Sequence, residues 1–233
     1  MTALNELIKK ANQVVFLTGA GVSTASGIPD YRSKNGLYQT GERPEYLLSL
    51  TCLQKEPQKH YQFVKEKMFY PEANPNIIHE KMAQLCLKGR AKIVTQNVDG
   101  LHQKAGTPRD CLVEFHGNLY DIYCQKCGQK VPYESYLQSM VHAGCGGILR
   151  TNIVLYEEGI EQSRLLKALK AVNEADLIVV CGTSLVVYPF AGLLEYRQPQ
   201  AKIVAVNREQ ISLPKGASLI LADAQEVFSK IEI

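Results

Sequence analysis

Apolar residues in this chain gather in short unbroken blocks, and between the blocks they return at every third or fourth position. The blocks at residues 14–17, 112–115, 177–181 and 203–206 are predominantly apolar and 92–95 holds Ile93 and Val94 between Lys92 and Thr95, with little of the polar alternation expected of a strand with one wet face. They predict strands of a parallel sheet buried on both sides. The three-to-four spacing predicts an amphipathic helix over 4–12, a helical pair over 57–68 and 77–86 inserted after the first strand, and helical segments over 165–172, 190–196 and 227–231. Each block is followed by polar and glycine residues: Gly19, Ala20 and Gly21 after the first, then Gln96 to Gly100, His116 and Gly117, Gly182 to Ser184, and Asn207. Ligands of open parallel α/β sheets bind beyond the carboxyl ends of the strands, so these separate stretches are expected to meet at one crevice.

The first turn carries the clearest local chemistry. Gly19 and Gly21 let the backbone turn tightly and lie against a ligand, and a helix starting near Val22 would aim free N–H groups at a pyrophosphate. The turn lacks the full G-x-G-x-x-G spacing, and an ordinary strand-to-helix turn uses the same residues. Further on, Cys124 and Cys127 are followed, after 14 residues, by His142 and Cys145. Two x2 pairs at that separation have zinc-ribbon spacing, with Gly128 and Gly144 as turn residues and a short helix expected over 133–141. A disulfide competes for the same cysteines, and a reducing compartment favours zinc. Four protein ligands leave no open position, so the ion would be structural.

Composition narrows the function classes. A chain of 233 residues holds one substantial core with an appendage, or two modest domains. Its formal charge of +3 comes without a basic block, which argues against nucleic acid as the main partner. No signal-peptide core opens the chain and no apolar run approaches the ~18 residues of a membrane span, so no membrane is expected and the cytoplasm is the default location. Cys52, Cys86, Cys111 and Cys181 stand singly among apolar residues and read as buried thiols. His60 and His79 read as helix-surface or interhelical histidines. No serine or cysteine with a base beside it offers itself as a nucleophile; Gln96, Asn97, Asp99 and His116 point instead to chemistry on a bound ribose.

With the run Ser26, Gly27, Ile28, Pro29, Asp30, Tyr31, Arg32 and Ser33, and with Gln96 to His102, Glu114 to Asn118 and Gly182 to Leu185, the sequence resembles the sirtuins, the NAD-dependent protein deacylases. The motifs run in order from Gly19 to Asn207, nearly the whole chain. The resemblance implies one catalytic domain over 1–233: a Rossmann-like parallel sheet with helices on both faces, plus a zinc-ribbon module and a helical insertion. Residues 1–32, 89–117 and 152–233 would form the large lobe, and 33–88 with 118–151 the small lobe. It implies His116 as general base on the ribose hydroxyls and Asn97 as the residue orienting a hydroxyl or a water. NAD would be held by Gly19, Ala20, Gly21, Thr24, Asp30, Tyr31 and Arg32 at the first loop, and by Gln96, Val98 and Asp99. Gly182, Thr183, Ser184, Asn207, Asp223 and Ala224 would receive its phosphate and adenosine end. An extended acyl-lysine peptide would run between 152–156 and 184–188, touching Val154, Tyr156 and Val187, and zinc would sit on Cys124, Cys127, His142 and Cys145.

The chain departs from the family pattern in several places. His142 stands where a third cysteine is usual, and Tyr31 where a phenylalanine is. Thr151, Asn152 and the run Tyr156, Glu157 and Glu158 replace the usual proline, aspartate and Phe-Gly-Glu. The helix around 63–67 lacks the Tyr-x-x-Arg pair of sirtuins that prefer acidic acyl groups, so an acetyl or longer apolar acyl chain is expected. Residues 33–41 read as a loop over the nucleotide. ADP-ribosyl transfer to a protein side chain, and an NAD-sensing module with vestigial activity, are the alternative functions.

Overall fold

The structure, a computed structural model, describes residues 3–30 and 43–233. Tyr31, Arg32 and the loop expected over 33–41 lie outside the described residues. In chain order come α1 (Ala3–Lys10), β1 (Val14–Thr18), two 3-10 turns (Ala20–Val22 and Thr24–Ser26), α2 (Pro44–Leu47), α3 (Leu50–Lys55), α4 (Pro57–Lys67) and α5 (Ile77–Leu87). They are followed by β2 (Ala91–Thr95), α6 (Leu101–Lys104), β3 (Leu112–Glu114), β4 (Gly117–Cys124), β5 (Lys130–Val131), α7 (Tyr133–Gln138) and β6 (Leu149–Ile153). The chain continues through α8 (Gln162–Glu174), β7 (Leu177–Cys181), a 3-10 segment (Ala191–Tyr196), β8 (Lys202–Asn207), β9 (Ser218–Leu221) and α9 (Ala224–Ser229).

Every residue of β1 is buried, and the strand shows why its sequence lacks alternation. Val14 and Phe16 face a core shared with Leu4 and Ile8 of α1, Met82 of α5 and Phe228 of α9. Val15 and Leu17 face the opposite core, shared with Ala168 and Val172 of α8 and with Phe190. With helices on both faces, each position of the strand is an inside position. The sheet order is β3-β2-β1-β7-β8-β9, and all its pairings are parallel. From β1 the chain winds outward to β3 on one side, and from β7 outward to β9 on the other. The carboxyl ends of β1 and β7 therefore diverge at a topological switch point, the expected place for a ligand crevice.

A third core lies off the sheet. Leu47, Leu53, Phe63 and Val64 of the inserted helices pack there with Leu119, Ile122, Tyr136 and Leu149. Among these, Leu119 and Ile122 lie on β4 and Leu149 on β6, strands of the antiparallel sheet β5-β4-β6. The helical insertion and the cysteine-containing module thus form one packed body. The helices at 57–68 and 77–86, expected as a pair, are divided between cores: α4 joins this body, whereas α5 lies on the parallel sheet beside α1 and α9. Ile78, Met82, Leu85 and Cys86 give α5 an apolar face that matches the sheet.

Candidate functional site

The turn after β1 closes backbone against backbone. Gly19 N–H donates to the Cys181 carbonyl at 3.2 Å, and Gly21 N–H to that of Gly182 at 2.8 Å. A β-carbon on Gly21 would lie 2.7 Å from Gly182 Cα, and one on Gly182, whose φ is +60°, would lie 2.5 Å from the Val22 nitrogen. No side chain fits at either position, and such a bare main-chain cradle suits the close approach of a pyrophosphate. Where the sequence predicts a helix starting near Val22, the chain makes two 3-10 turns, the second with Thr24 Oγ1 donating to the Gly21 carbonyl at 3.1 Å.

Around this turn opens a cleft of about 960 Å³. Gly19, Ala20, Gly21, Thr24 and Asp30 line it from the first loop, and Gln96, Asn97, Val98 and His116 from the ends of β2 and β3. Gly182, Thr183, Ser184, Asn207, Asp223 and Ala224 line its other end, and Val154, Tyr156 and Val187 its flanks. Asp99 sits in a small adjoining recess with Ala20, Ser23, Asn97 and Val98. The nucleotide positions named from the sequence thus come together, Tyr31 and Arg32 excepted as undescribed.

A buried polar network organises the recess. Asn76 caps α5, its N–H donating to His79 Nδ1 at 3.3 Å. That puts the His79 proton on Nε2, 3.4 Å from Ser23 Oγ. Ser23 in turn donates to Asp99 Oδ2 at 2.6 Å and accepts from Asn97 Nδ2 at 3.1 Å, while Leu101 N–H donates to Asp99 Oδ1 at 2.9 Å. Burial pushes the Asp99 carboxyl up, and the bonds from Ser23 and Leu101 pull it down, with the net above its ordinary value. His102 packs edge-on to His79 at 4.8 Å, with Nε2 3.1 Å from Thr18 Oγ1. Ser23 and His79 have no place among the sequence-derived site residues. Their sole sequence trace is an Asn76/His79 spacing that looks like an ordinary helix start.

The two neighbouring histidines set a pH dependence of stability. Burial lowers His79 to about 4, and burial followed by the field of His79 lowers His102 well below its ordinary value. Unfolded, both take a proton near pH 6.5, so the unfolded chain binds more protons below that value. Stability is complete above about pH 6.5 and is lost as pH falls toward 4, at up to about 1.4 kcal/mol per unit per histidine. The melting temperature should therefore drop between pH 7 and pH 5, and His79→Gln should flatten the drop; equal slopes for both proteins would refute the assignment.

His116 stands at the end of β3 against aromatic rings, its centroid 5.4 Å from Phe115 and 6.4 Å from Phe190. Its Nδ1 lies 3.3 Å from the Gln96 carbonyl, which can only accept, so the ring proton sits on Nδ1 and Nε2 keeps its lone pair. Burial lowers its pKa, and the Gln96 carbonyl partly offsets this. The result is a histidine that is neutral at physiological pH with one basic nitrogen available. Gln96 also donates from Nε2 to Thr183 Oγ1 at 2.8 Å, joining the ends of β2 and β7.

The ligand atoms of Cys124, Cys127, His142 and Cys145 all lie within 4.8 Å of one another. His142 Nδ1 is 3.4 Å from Cys127 Sγ and 3.2 Å from Cys145 Sγ, and Cys124 and Cys145 Sγ are 3.4 Å apart. A tetrahedral zinc with ~2.3 Å bonds to sulfur spaces its ligands by about 3.8 Å, so the set fits the ion with small adjustments. Burial raises the Cys124 thiol, but hydrogen bonds from the Cys127 and Lys126 backbone outweigh it and bring the thiol down to about 6, as a metal-binding thiolate requires. Room is reserved here too: a β-carbon on Gly147 would lie 2.6 Å from Cys124 Sγ, and one on Gly144 3.1 Å from the His142 ring.

The Sir2 family model matches residues 19–189 of the chain. The NAD-dependent protein deacetylase of Listeria monocytogenes serotype 4b is 56% identical over 231 residues, covering 99% of this chain and 100% of its own. That of Lactiplantibacillus plantarum is 48% identical over 233 residues, covering 100% and 99%. Among solved structures, a Sir2 with a deacetylated p53 peptide and 3′-O-acetyl ADP-ribose matches with a TM-score of 0.88 and 34% identity, over 97% of this chain and 94% of that one. A Sir2Tm bound to a propionylated peptide matches at 0.83 and 33%, with the same coverage.

Proposed function

Since the chain belongs to the Sir2 family and is an NAD-dependent protein deacetylase, we propose that His116 is its general base and that an acyl-lysine peptide lies between residues 152–156 and 184–188. The observation that carries this reading is the meeting of His116 and Asn97, from the ends of two strands, with the bare Gly19–Gly21 turn in one cleft. When bound, NAD supplies an anomeric carbon made electrophilic by departing nicotinamide, and ribose hydroxyls that accept the acyl group.

The residues do the rest. His116, anchored through Nδ1–H, takes a ribose hydroxyl proton on Nε2. Asn97 spends its amide N–H on Ser23, which leaves its carbonyl oxygen for a ribose hydroxyl or a water. Asp99, held by Ser23 and the Leu101 N–H, receives the nicotinamide carboxamide together with the Val98 backbone. Gln96 steadies the ribose from its bond to Thr183. Thr24, Asp30, Ser184 and Asn207, with Tyr31 and Arg32, complete the nucleotide contacts. Asp223 accepts from Gln225 N–H at 2.7 Å and from Arg208 Nε at 3.1 Å, so its part at the adenosine end is to seat α9 beside Ala224.

Acyl groups longer than acetyl fit the same reading; a propionylated peptide occupies the Sir2Tm relative. We divide the chain into a large lobe of 1–32, 89–117 and 152–233, joined by α5, and a small lobe of the other inserted helices with 118–151. The packing of α4 with β4 and β6 in one core and of α5 against the parallel sheet in another supports this division, with Ile153 and Leu155 at its boundary packing on the small lobe. Among the described residues no helix is long and apolar enough to cross a membrane. The bacterial relatives, and a thiol-rich metal set that needs a reducing compartment, support a cytoplasmic location.

The test is a reaction of purified protein with labelled NAD and acetyl-lysine peptide. Nicotinamide released in step with deacetylated peptide, with the label leaving as acyl-ADP-ribose, is the expected result. Label fixed on protein would overturn the reading in favour of ADP-ribosyl transfer.

A further inference from the structure

Glu157 has φ +74°, a left-handed conformation in which a side chain is strained and a glycine is not. Among the described non-glycine residues it shares a positive φ only with Leu185, which lies between the cleft-lining Ser184 and Val186. Strain of this kind persists where the surroundings hold it in place.

What holds it is the start of α3. A helix leaves its first N–H groups without partners inside the helix, and here two of them are taken by the cleft wall. Leu50 N–H donates to the Tyr156 carbonyl at 3.1 Å, and Thr51 N–H to Glu157 Oε2 at 2.9 Å. Thr51 Oγ1 donates to the same oxygen at 2.7 Å. In return, Tyr156 N–H donates to the Leu48 carbonyl at 2.9 Å, forming a parallel bridge between Ser49 and Tyr156. Glu158 secures the other end of the segment, accepting from both terminal nitrogens of Arg150 and from Leu155 N–H at 2.9 Å. The wall containing Val154 and Tyr156 is thus stitched to the helical body, and among these contacts Glu157 is the only side chain of the wall that reaches α3, where the Thr51 N–H and hydroxyl meet it.

We infer that Glu157 is a positioning residue for the peptide substrate: by clasping the first turn of α3 it fixes the wall along which the peptide runs. The inference rests on the peptide path proposed above. Glycine at 157 would keep the backbone path without strain and lose the clasp, so the residue's contribution is the carboxylate.

Steady-state kinetics with peptide and NAD varied separately test this in Glu157→Gly, Thr51→Val, their double variant and Glu157→Gln. The peptide KM should rise about 5–10-fold in Glu157→Gly, the scale of one charge-assisted hydrogen bond, with NAD KM and kcat within about twofold of the parent. Thr51→Val should move in the same direction, the double variant should be no worse than Glu157→Gly, and Glu157→Gln, which keeps an acceptor oxygen, should recover most of the loss. An unchanged peptide KM in Glu157→Gly, or equal effects on both substrates, would overturn the inference. Val154→Asp separates the two readings. If it raises peptide KM while Glu157→Gly does not, the clasp fails and the peptide path stands; if neither changes it, both fail.

Discussion

Alanine at His116 should lower kcat/KM for deacetylation by about 10²–10⁴, the range of a single general base. The fold should survive, because the ring makes one backbone hydrogen bond and lies at the edge of the Phe115 and Phe190 packing. NAD should still bind, since the glycine cradle and the Asp99 recess are built without this side chain. The pH profile of the parent enzyme gives a second reading. The base works as neutral imidazole, and burial lowers its pKa, so the acid limb of kcat/KM should fall with a midpoint below 6.5. A variant retaining full turnover, or an acid limb above 6.5, would remove His116 from the reaction.

The other large effect concerns the metal module. Cys145→Ser should abolish stoichiometric zinc binding and lower the melting temperature by roughly 10 °C. Structural zinc is worth about 10–16 kcal/mol in small domains, and a third of that shifts a chain of this size by about 2–4 °C per kcal/mol. The destabilisation reaches beyond the module because Cys124 and Cys145 adjoin the same core as Phe63, Val64 and Tyr136. His142→Cys should keep the zinc, whereas His142→Ala should lose it. Metal analysis and calorimetry of these proteins check both points, and full zinc content in His142→Ala would exclude the histidine as a ligand.

How much of this could be read from the chain follows from the range of the interactions involved. β1 and β7 were legible because a strand covered on both faces carries its environment in its own residues, and β2, β3 and β8 because their apolar positions stop at polar and glycine residues. The glycine turn and the Cys3His spacing were legible for the same reason: each is a local pattern with a local cause. β9 was not: its apolar run is short, and Ser218–Leu221 lies at the sheet edge with both end residues exposed, so its place in the sheet is set by its pairing with β8. β4 was missed because its two faces meet different surroundings and a register shift interrupts it between Asn118 and Ile122. The partition of α4 and α5 between two cores depends on which distant surface each helix finds. His79 is the sharpest case. Its role exists only through Ser23, 56 positions before it, which in turn binds Asp99, 76 positions from Ser23, and nothing adjacent to His79 announces either contact.

The seam between Gly21 and Gly182 has a bearing on redesign. Its contact is made wholly of main-chain atoms, so it offers a protein engineer no dial to turn: every substitution adds bulk where none is tolerated. Attempts to retune this enzyme toward an altered dinucleotide should leave the seam alone and work at the rim near Asn207 and Glu209, where variation changes what is admitted without prising the two halves of the sheet apart.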